Sequence, residues 1–337
     1  MHLFTVPIAL CLVVSVSSQN PAPTTGPYHV IKTVRAGGEG GFDYIDADSA
    51  GRRLYIARSG PTARVSVFNL DTLEPAGEIP NTSAHGVAID NSTHHAFATS
   101  KPVAMWDSVT LTPTKTIEVD GHPDGLLNDN FNHRTYIFSH SAPNATVIDD
   151  SDGSVLGTID LGGAPEQAAT DGKGTLYVDL EDKGSVAVVD AKSMKVTATY
   201  SLNGKGGDAG LALDARGHVL YVACREPKVM VMLDSRDGKY LADLPIGDHC
   251  DGVVFNPKTR ECFASFGDGT LSVMKQTGPS SFALVQVVTT MIGAKTCTLD
   301  SKTGNILVMS AEYSAPAAGQ RRGSLVPGSF SIIVVGK

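Results

Sequence analysis

Residues Ala209–Ala223 read AGLALDARGHVLYVA. A short apolar segment enters an Asp-Ala-Arg-Gly turn, and a second apolar segment leaves it carrying a tyrosine. Apolar and polar positions alternate on either side, which is the period of a strand, and Asp and Gly supply the turn. The unit recurs along the chain: FDYIDADSAGRRLYIA from Phe42, HGVAIDNSTHHAFAT from His85, DGLLNDNFNHRTYIF from Asp124 and EQAATDGKGTLYVD from Glu166. It then returns as DGVVFNPKTRECFAS from Asp251 and KTCTLDSKTGNILVM from Lys295. The turn residue falls at Asp48, Asp90, Asp129, Asp171, Asp214, Asn256 and Asp300, so successive spacings are 42, 39, 42, 43, 42 and 44.

A third apolar run follows each hairpin, as in Arg64–Asn69, Ser185–Asp190 and Val229–Asp234. A fourth follows that, as in Ser154–Leu161 and Lys239–Ile246. Four strands every ~40 residues make a propeller blade. The ends of the chain distinguish a ring from an open stack. The seventh unit has a third strand, Phe330–Val335, and then stops, while Val30–Gly38 (VIKTVRAGG) aligns with the fourth strand Val155–Gly163 (VLGTIDLGG). The amino-terminal strand is therefore expected to complete the last blade. The fold class is all-β, a seven-bladed β-propeller of four-stranded blades, with residues 28–337 forming one domain.

Composition agrees with a packed β protein. Of 337 residues, 42% are hydrophobic, and 35 glycines and 18 prolines supply frequent turns. That apolar content excludes a disordered chain. Lys and Arg total 27 against 35 Asp and Glu, for a net charge of −8. An acidic surface does not favour phosphate backbones, so no nucleic acid partner is expected. Ile8–Val16 is an apolar run of nine, far short of the ~20 residues that cross a bilayer, and small and polar residues follow it. Residues 1–18 read as a signal peptide and 19–27 as a flexible linker, which predicts a secreted or periplasmic monomer without a transmembrane segment. Beyond the leader lie Cys224, Cys250, Cys262 and Cys297, with no CxxC motif. Export permits disulfides. Cys224 and Cys250, expected near one face on adjacent blades, form the predicted pair.

Leu220–Gly247, LYVACREPKVMVMLDSRDGKYLADLPIG, resembles the YVTN-type repeat of the YncE-like seven-bladed propellers, and Gly121–Gly125 (GHPDG) resembles the Gly-x-x-Pro-x-Gly approach to their inner strand. The resemblance covers residues 28–337. It implies the fold but not the activity, because related rings include passive binding proteins, lactonases, lyases and electron-transfer domains.

In such a ring the loops leading into the inner strands and the loops joining strands two and three share one face. Asp43, His85, His122, Asp124, Glu166, Arg58, Arg225, His249 and Asp251 fall there and are the candidate ligand-binding residues. Imidazole with carboxylate suits a divalent metal ion, with His85, Asp124, Glu166 and His249 as candidate ligands. The same groups suit acid–base work, with His85, His249 and Asp251 as catalytic candidates. Arg58 and Arg225 are placed to hold an oxyanion. Ala311–Ser329, with Arg321-Arg322, is an enlarged loop on the same face, a candidate lid. Two functions follow. One is an exported propeller that binds a small molecule or an envelope protein at the channel mouth. The other is a lactonase- or lyase-like enzyme acting on a small anionic substrate, with or without metal; no G-x-S-x-G or H-E-x-x-H motif accompanies it.

Overall fold

A computed structural model describes residues 20–142, 144–315 and 323–337. The leader and Arg321-Arg322 lie outside these residues. The described strands form seven four-stranded antiparallel sheets. Blade one, for example, comprises Gly41–Asp48, Arg53–Ser59, Arg64–Asn69 and Pro75–Pro80. The seventh takes its first three strands from Cys297–Leu299, Ile306–Ser310 and Ser331–Gly336, and its outer strand from His29–Arg35. Val30 pairs with Val335 and Arg35 with Ser331, antiparallel, so the expected closure is present. No helix among the described residues is long and apolar enough to cross a membrane.

Alternation along each strand sends one set of side chains to each face of its blade. The result is seven apolar clusters, one in each gap between neighbouring blades. The gap between blades seven and one is filled like the others, by Ile45, Leu54 and Phe68 from one side and Leu307, Met309 and Ile332 from the other. Trp106, fully buried, packs between blades one and two. Tyr28 seals the gap between blades six and seven, its ring 5.1 Å from Phe263 and its hydroxyl donating to Glu261 Oε2 at 2.5 Å. The segment expected as a linker is anchored here too, where the Thr24 amide donates to Val287 O.

The repeated turn aspartate does more than make a turn. Asp48 Oδ1 accepts from the Gly51 amide at 2.8 Å and from Asn91 of the next blade at 3.0 Å. Asp90 meets His133 at 3.1 Å, Asp129 accepts from Thr170 at 2.8 Å, and Asp214 accepts from Arg260 at 2.9 Å. The last contact in this belt crosses the closure: Arg52 of blade one donates to both oxygens of Asp300 of blade seven, at 2.7 and 2.8 Å. Asp300 is buried, and although burial opposes ionisation, the Arg52 guanidinium holds its carboxyl well below the usual range.

The predicted Cys224–Cys250 disulfide does not form; all four described cysteines are free and buried. Strand alternation is the reason. Cys224 points into the gap between blades four and five, whereas its neighbour Ala223 shares the gap between blades five and six with Cys250. A full sheet thickness separates the two sulfurs.

Two measurements check this architecture. In protein beginning at residue 19, a thiol reagent should label no cysteine in the native state and four after unfolding; two unreactive thiols after unfolding without reductant would restore the disulfide. Arg52→Ala leaves the buried Asp300 carboxylate without its cation, held only by Thr303 and the Lys302 amide, and should lower unfolding free energy in urea by about 2 kcal/mol. A loss below ~0.5 kcal/mol would show that the belt contributes nothing at the closure.

Candidate functional site

The inner strands converge where their loops enter the channel, and every blade contributes a charged or imidazole group to the rim. Blade one supplies Asp43 and blade two His85, 2.8 Å apart from Oδ2 to Nδ1. His85 Nδ1 lies 3.3 Å from Asp124 Oδ1 of blade three. The other oxygen of Asp124 lies 3.4 Å from His140 Nε2, which in turn is 2.8 Å from Glu166 Oε2 of blade four. Beyond Glu166, Glu181 accepts from Arg225 of blade five at 2.7 Å. Arg225 and Lys295 of blade seven both contact Asp251 of blade six. Lys295 then returns to Asp43 Oδ1 at 3.5 Å. Acid and base alternate around this circuit everywhere except between Glu166 and Glu181.

Glycines set the narrowness of the mouth. A Cβ at Gly125 would sit 2.4 Å from the Glu166 carbonyl oxygen, and one at Gly252 would sit 2.6 Å from the Cys297 amide nitrogen. Real side chains do not tolerate such approaches, so the glycine after Asp124 and the glycine after Asp251 let adjacent inner strands close up. That closeness brings groups from different blades within contact distance.

The outer carboxylates are steadied from behind. Tyr44, on the inner strand of blade one, donates its hydroxyl to Glu166 Oε1 at 3.0 Å, leaving Oε2 to face His140. Asp43 turns Oδ1 to Lys295 and Oδ2 to His85. Tyr44 and Glu166 also line a cavity of about 220 Å³ beneath the rim, with Asp46, Leu126, Gln167 and Val253.

Crowding moves the titrations apart. Burial, then repulsion from Glu166, raises Asp124 to about 6. Burial raises Asp46 to about 7, with Asp48 adding to it. Its hydrogen bond to Glu166 raises His140 to about 9. Asp43 and Glu166 are held low: burial opposes ionisation, but His85 and Lys295 around Asp43, and His140 and Tyr44 around Glu166, outweigh it. Asp251 is raised, because its burial outweighs its two cations.

Of the residues expected from sequence, Asp43, His85, Asp124, Glu166, Arg225 and Asp251 meet at the rim. His122 and His249 do not. The His122 ring is exposed, and only its amide is held, by Ser139 Oγ at 2.7 Å. His249 is 76% exposed and touches Asp248 at 3.3 Å. Arg58 is buried over the Phe330 ring, 4.0 Å from its centroid, and donates to the Gly41 and Glu39 carbonyls. It pins the glycine-rich loop rather than facing the mouth. The enlarged loop is drawn together at its base by a bridge between Tyr313 and Leu325. His140 and Lys295, which were not among the candidate site residues, do reach the rim, and both sit in loops that the repeat marks. Tyr44 gave no sequence signal beyond its place on an inner strand.

Among the described residues, two groups of donors are close enough to hold a metal ion, with their atoms all within 4.8 Å of one another: Asp43, His85 and Asp124, and Asp124, His140 and Glu166. Imidazole nitrogen with carboxylate oxygen suits zinc, manganese or iron.

In the metal-free protein the His140–Glu166 pairing stabilises the fold fully below the ordinary imidazole value of 6.5. It loses that contribution as pH rises through about 9. By NMR the His140 ring should titrate near pH 9, and lower in Glu166→Gln; identical titrations in the two proteins would refute the pairing.

No family model matches the chain. It is 25% identical over 190 residues to the protein called YncE of Salmonella typhi, covering 53% of each chain. It is 29% identical over 223 residues to YncE of Escherichia coli O157:H7, covering 62% of this chain and 56% of that one. The chain thus matches little more than half the length of these curated relatives. Among solved structures it superposes on a chain of the Kuenenia stuttgartiensis hydrazine synthase with a TM-score of 0.70 at 15% identity, over 82% of this chain and 95% of that one. A chain of the mitotic checkpoint complex gives 0.74 at 13%, over 99% of both, and the RRP9 WD40 repeats give 0.69 at 11%, over 94% of this chain and 100% of that one. At such identities these likenesses concern fold alone. The protein is a seven-bladed β-propeller, closed by its amino-terminal strand, whose sequence is similar to that of the YncE proteins.

Proposed function

We propose that the protein is an exported binding propeller whose channel mouth takes a small anionic molecule. One observation carries this reading: all seven blades contribute acid or base to the rim, alternating except between Glu166 and Glu181, above a cavity of about 220 Å³. Arg225 and Lys295 share Asp251, and each also holds a second carboxylate, Glu181 and Asp43, so an entering anion competes with these for the two cations. The planar guanidinium of Arg225 is the group suited to carboxylate and phosphate. The leader read from residues 1–18 supports export to the periplasm or the outside.

Metal-assisted hydrolysis of a lactone is a second reading, favoured by the two donor groups beside the cationic sector. In it His85 and Asp124 belong to the metal and Arg225 holds the developing oxyanion.

Calorimetry with inorganic phosphate and with citrate, each in the presence of Mn²⁺ and in the presence of chelator, tests the binding reading. At least one anion should bind to the wild type and bind ~10-fold or more weakly to Arg225→Gln. If neither anion binds under either condition, the reading fails. Release of acid from a γ-lactone by the wild type but not by Asp124→Asn would move the assignment to hydrolysis.

A further inference from the structure

The arrangement of oxygens around Asp124 goes further than a generic polar pocket. The donors fall into two groups of three, and Asp124 is the member common to both. Its two oxygens are divided between them: Oδ1 faces His85, and Oδ2 faces His140. A carboxylate that turns one oxygen to each of two adjacent donor sets has the geometry of a bridge. We propose that the mouth is a two-ion centre, in which one divalent cation is held by Asp43, His85 and Asp124 and a second by Asp124, His140 and Glu166. This deepens, and rests on, the reading of the mouth as the ligand-binding site.

Three observations support two ions over one. The imidazole nitrogens approach different oxygens of Asp124, so a single ion on either side would leave the other histidine without it. The terminal carboxylates are each tied from behind through the oxygen that does not face a histidine: Asp43 Oδ1 by Lys295 and Glu166 Oε1 by Tyr44. Orientation of metal-binding carboxylates by such outer contacts is the usual way a site is held in shape. Asp124, the shared carboxylate, has no such tie and uses both oxygens inward.

Charge then connects the centre to its ligand. Three carboxylates facing one another are mutually repulsive, and two divalent ions bring four positive charges against those three negative ones. The remaining members of the circuit, Glu181, Arg225, Asp251 and Lys295, sum to zero. The loaded mouth is therefore net positive where the metal-free mouth is acidic. Two ions side by side also leave coordination positions for the oxygens of one bridging anion, in the manner of two-metal sites. The ligand class that follows is a small phosphate or carboxylate, bound more tightly by the loaded protein.

Manganese reports both stoichiometry and proximity. The wild-type chain should bind two Mn²⁺, by calorimetry and by elemental analysis after gel filtration, and its EPR spectrum should show exchange-coupled ions. Asp43→Asn and Glu166→Gln should each retain one ion with the six-line spectrum of isolated Mn²⁺. Asp124→Asn should weaken both ions at least ~10-fold, and Tyr44→Phe should weaken one of the two by about 10-fold. Thermal melts establish that each variant is folded; should one fail to fold, wild-type stoichiometry and spectrum decide alone. One uncoupled ion per wild-type chain, or none, overturns the two-ion centre, as does loss of all binding in both Asp43→Asn and Glu166→Gln. Phosphate binding by protein that takes up no Mn²⁺ would reject the centre and leave the ligand-binding mouth standing. Two coupled ions without phosphate or citrate binding would do the reverse.

Discussion

The antiparallel pairing of His29–Arg35 with Ser331–Gly336 is the constraint on which the molecule depends. A chain of seven blades has two free ends, and this pairing joins them in one sheet. It covers a sheet edge that would otherwise offer unpaired amides and carbonyls to another chain. More importantly, it fixes blade seven against blade one, so that the seventh apolar gap is filled like the other six. The Arg52–Asp300 contact repeats the closure on the opposite face, as one member of a belt in which turn residues of one blade grip the next.

Closure also decides what the mouth can be. Asp43 and Lys295 are 252 residues apart in sequence, yet they are neighbours because the first and last blades are. Without that seam the circuit of charges would be an open arc, with Asp43 separated from Lys295 on blade seven. Glycines at the tops of the inner strands then bring the blades close enough for groups on different sheets to touch. The site is thus a product of ring geometry and small residues rather than of any local motif.

The circuit is also a compromise in electrostatics. Burying several carboxylates at one point is unfavourable, and the protein offsets this in two sectors. Asp251 sits between Arg225 and Lys295, which offset part of its burial. Asp124 has only imidazoles for company, and it is the carboxyl whose burial and acidic neighbours raise it to about 6. Deeper in, Asp179 and Asp208 are buried, no ion pair to either is formed among the described residues, and burial raises both carboxyls above the usual range.

Blade number, strand order and closure were legible in the sequence because they rest on local periodicity: alternation, turn residues and a spacing near 42 repeat seven times, and the missing strand at one end matches the spare strand at the other. The positions facing the mouth were legible for the same reason, since the repeat places Asp43, His85, Asp124, Glu166 and Asp251 at equivalent points. Which of these side chains meet was not legible. His122 and His249 occupy equivalent loops yet turn outward, whereas His140 turns in, and Arg58 spends its guanidinium on loop carbonyls. The cysteine pairing failed on a similar point, because one residue along a strand exchanges one face of a blade for the other. Sequence periodicity determines which face and which blade a residue belongs to. The direction of a loop side chain depends on contacts across the gap between blades, and those exist only once the ring has closed.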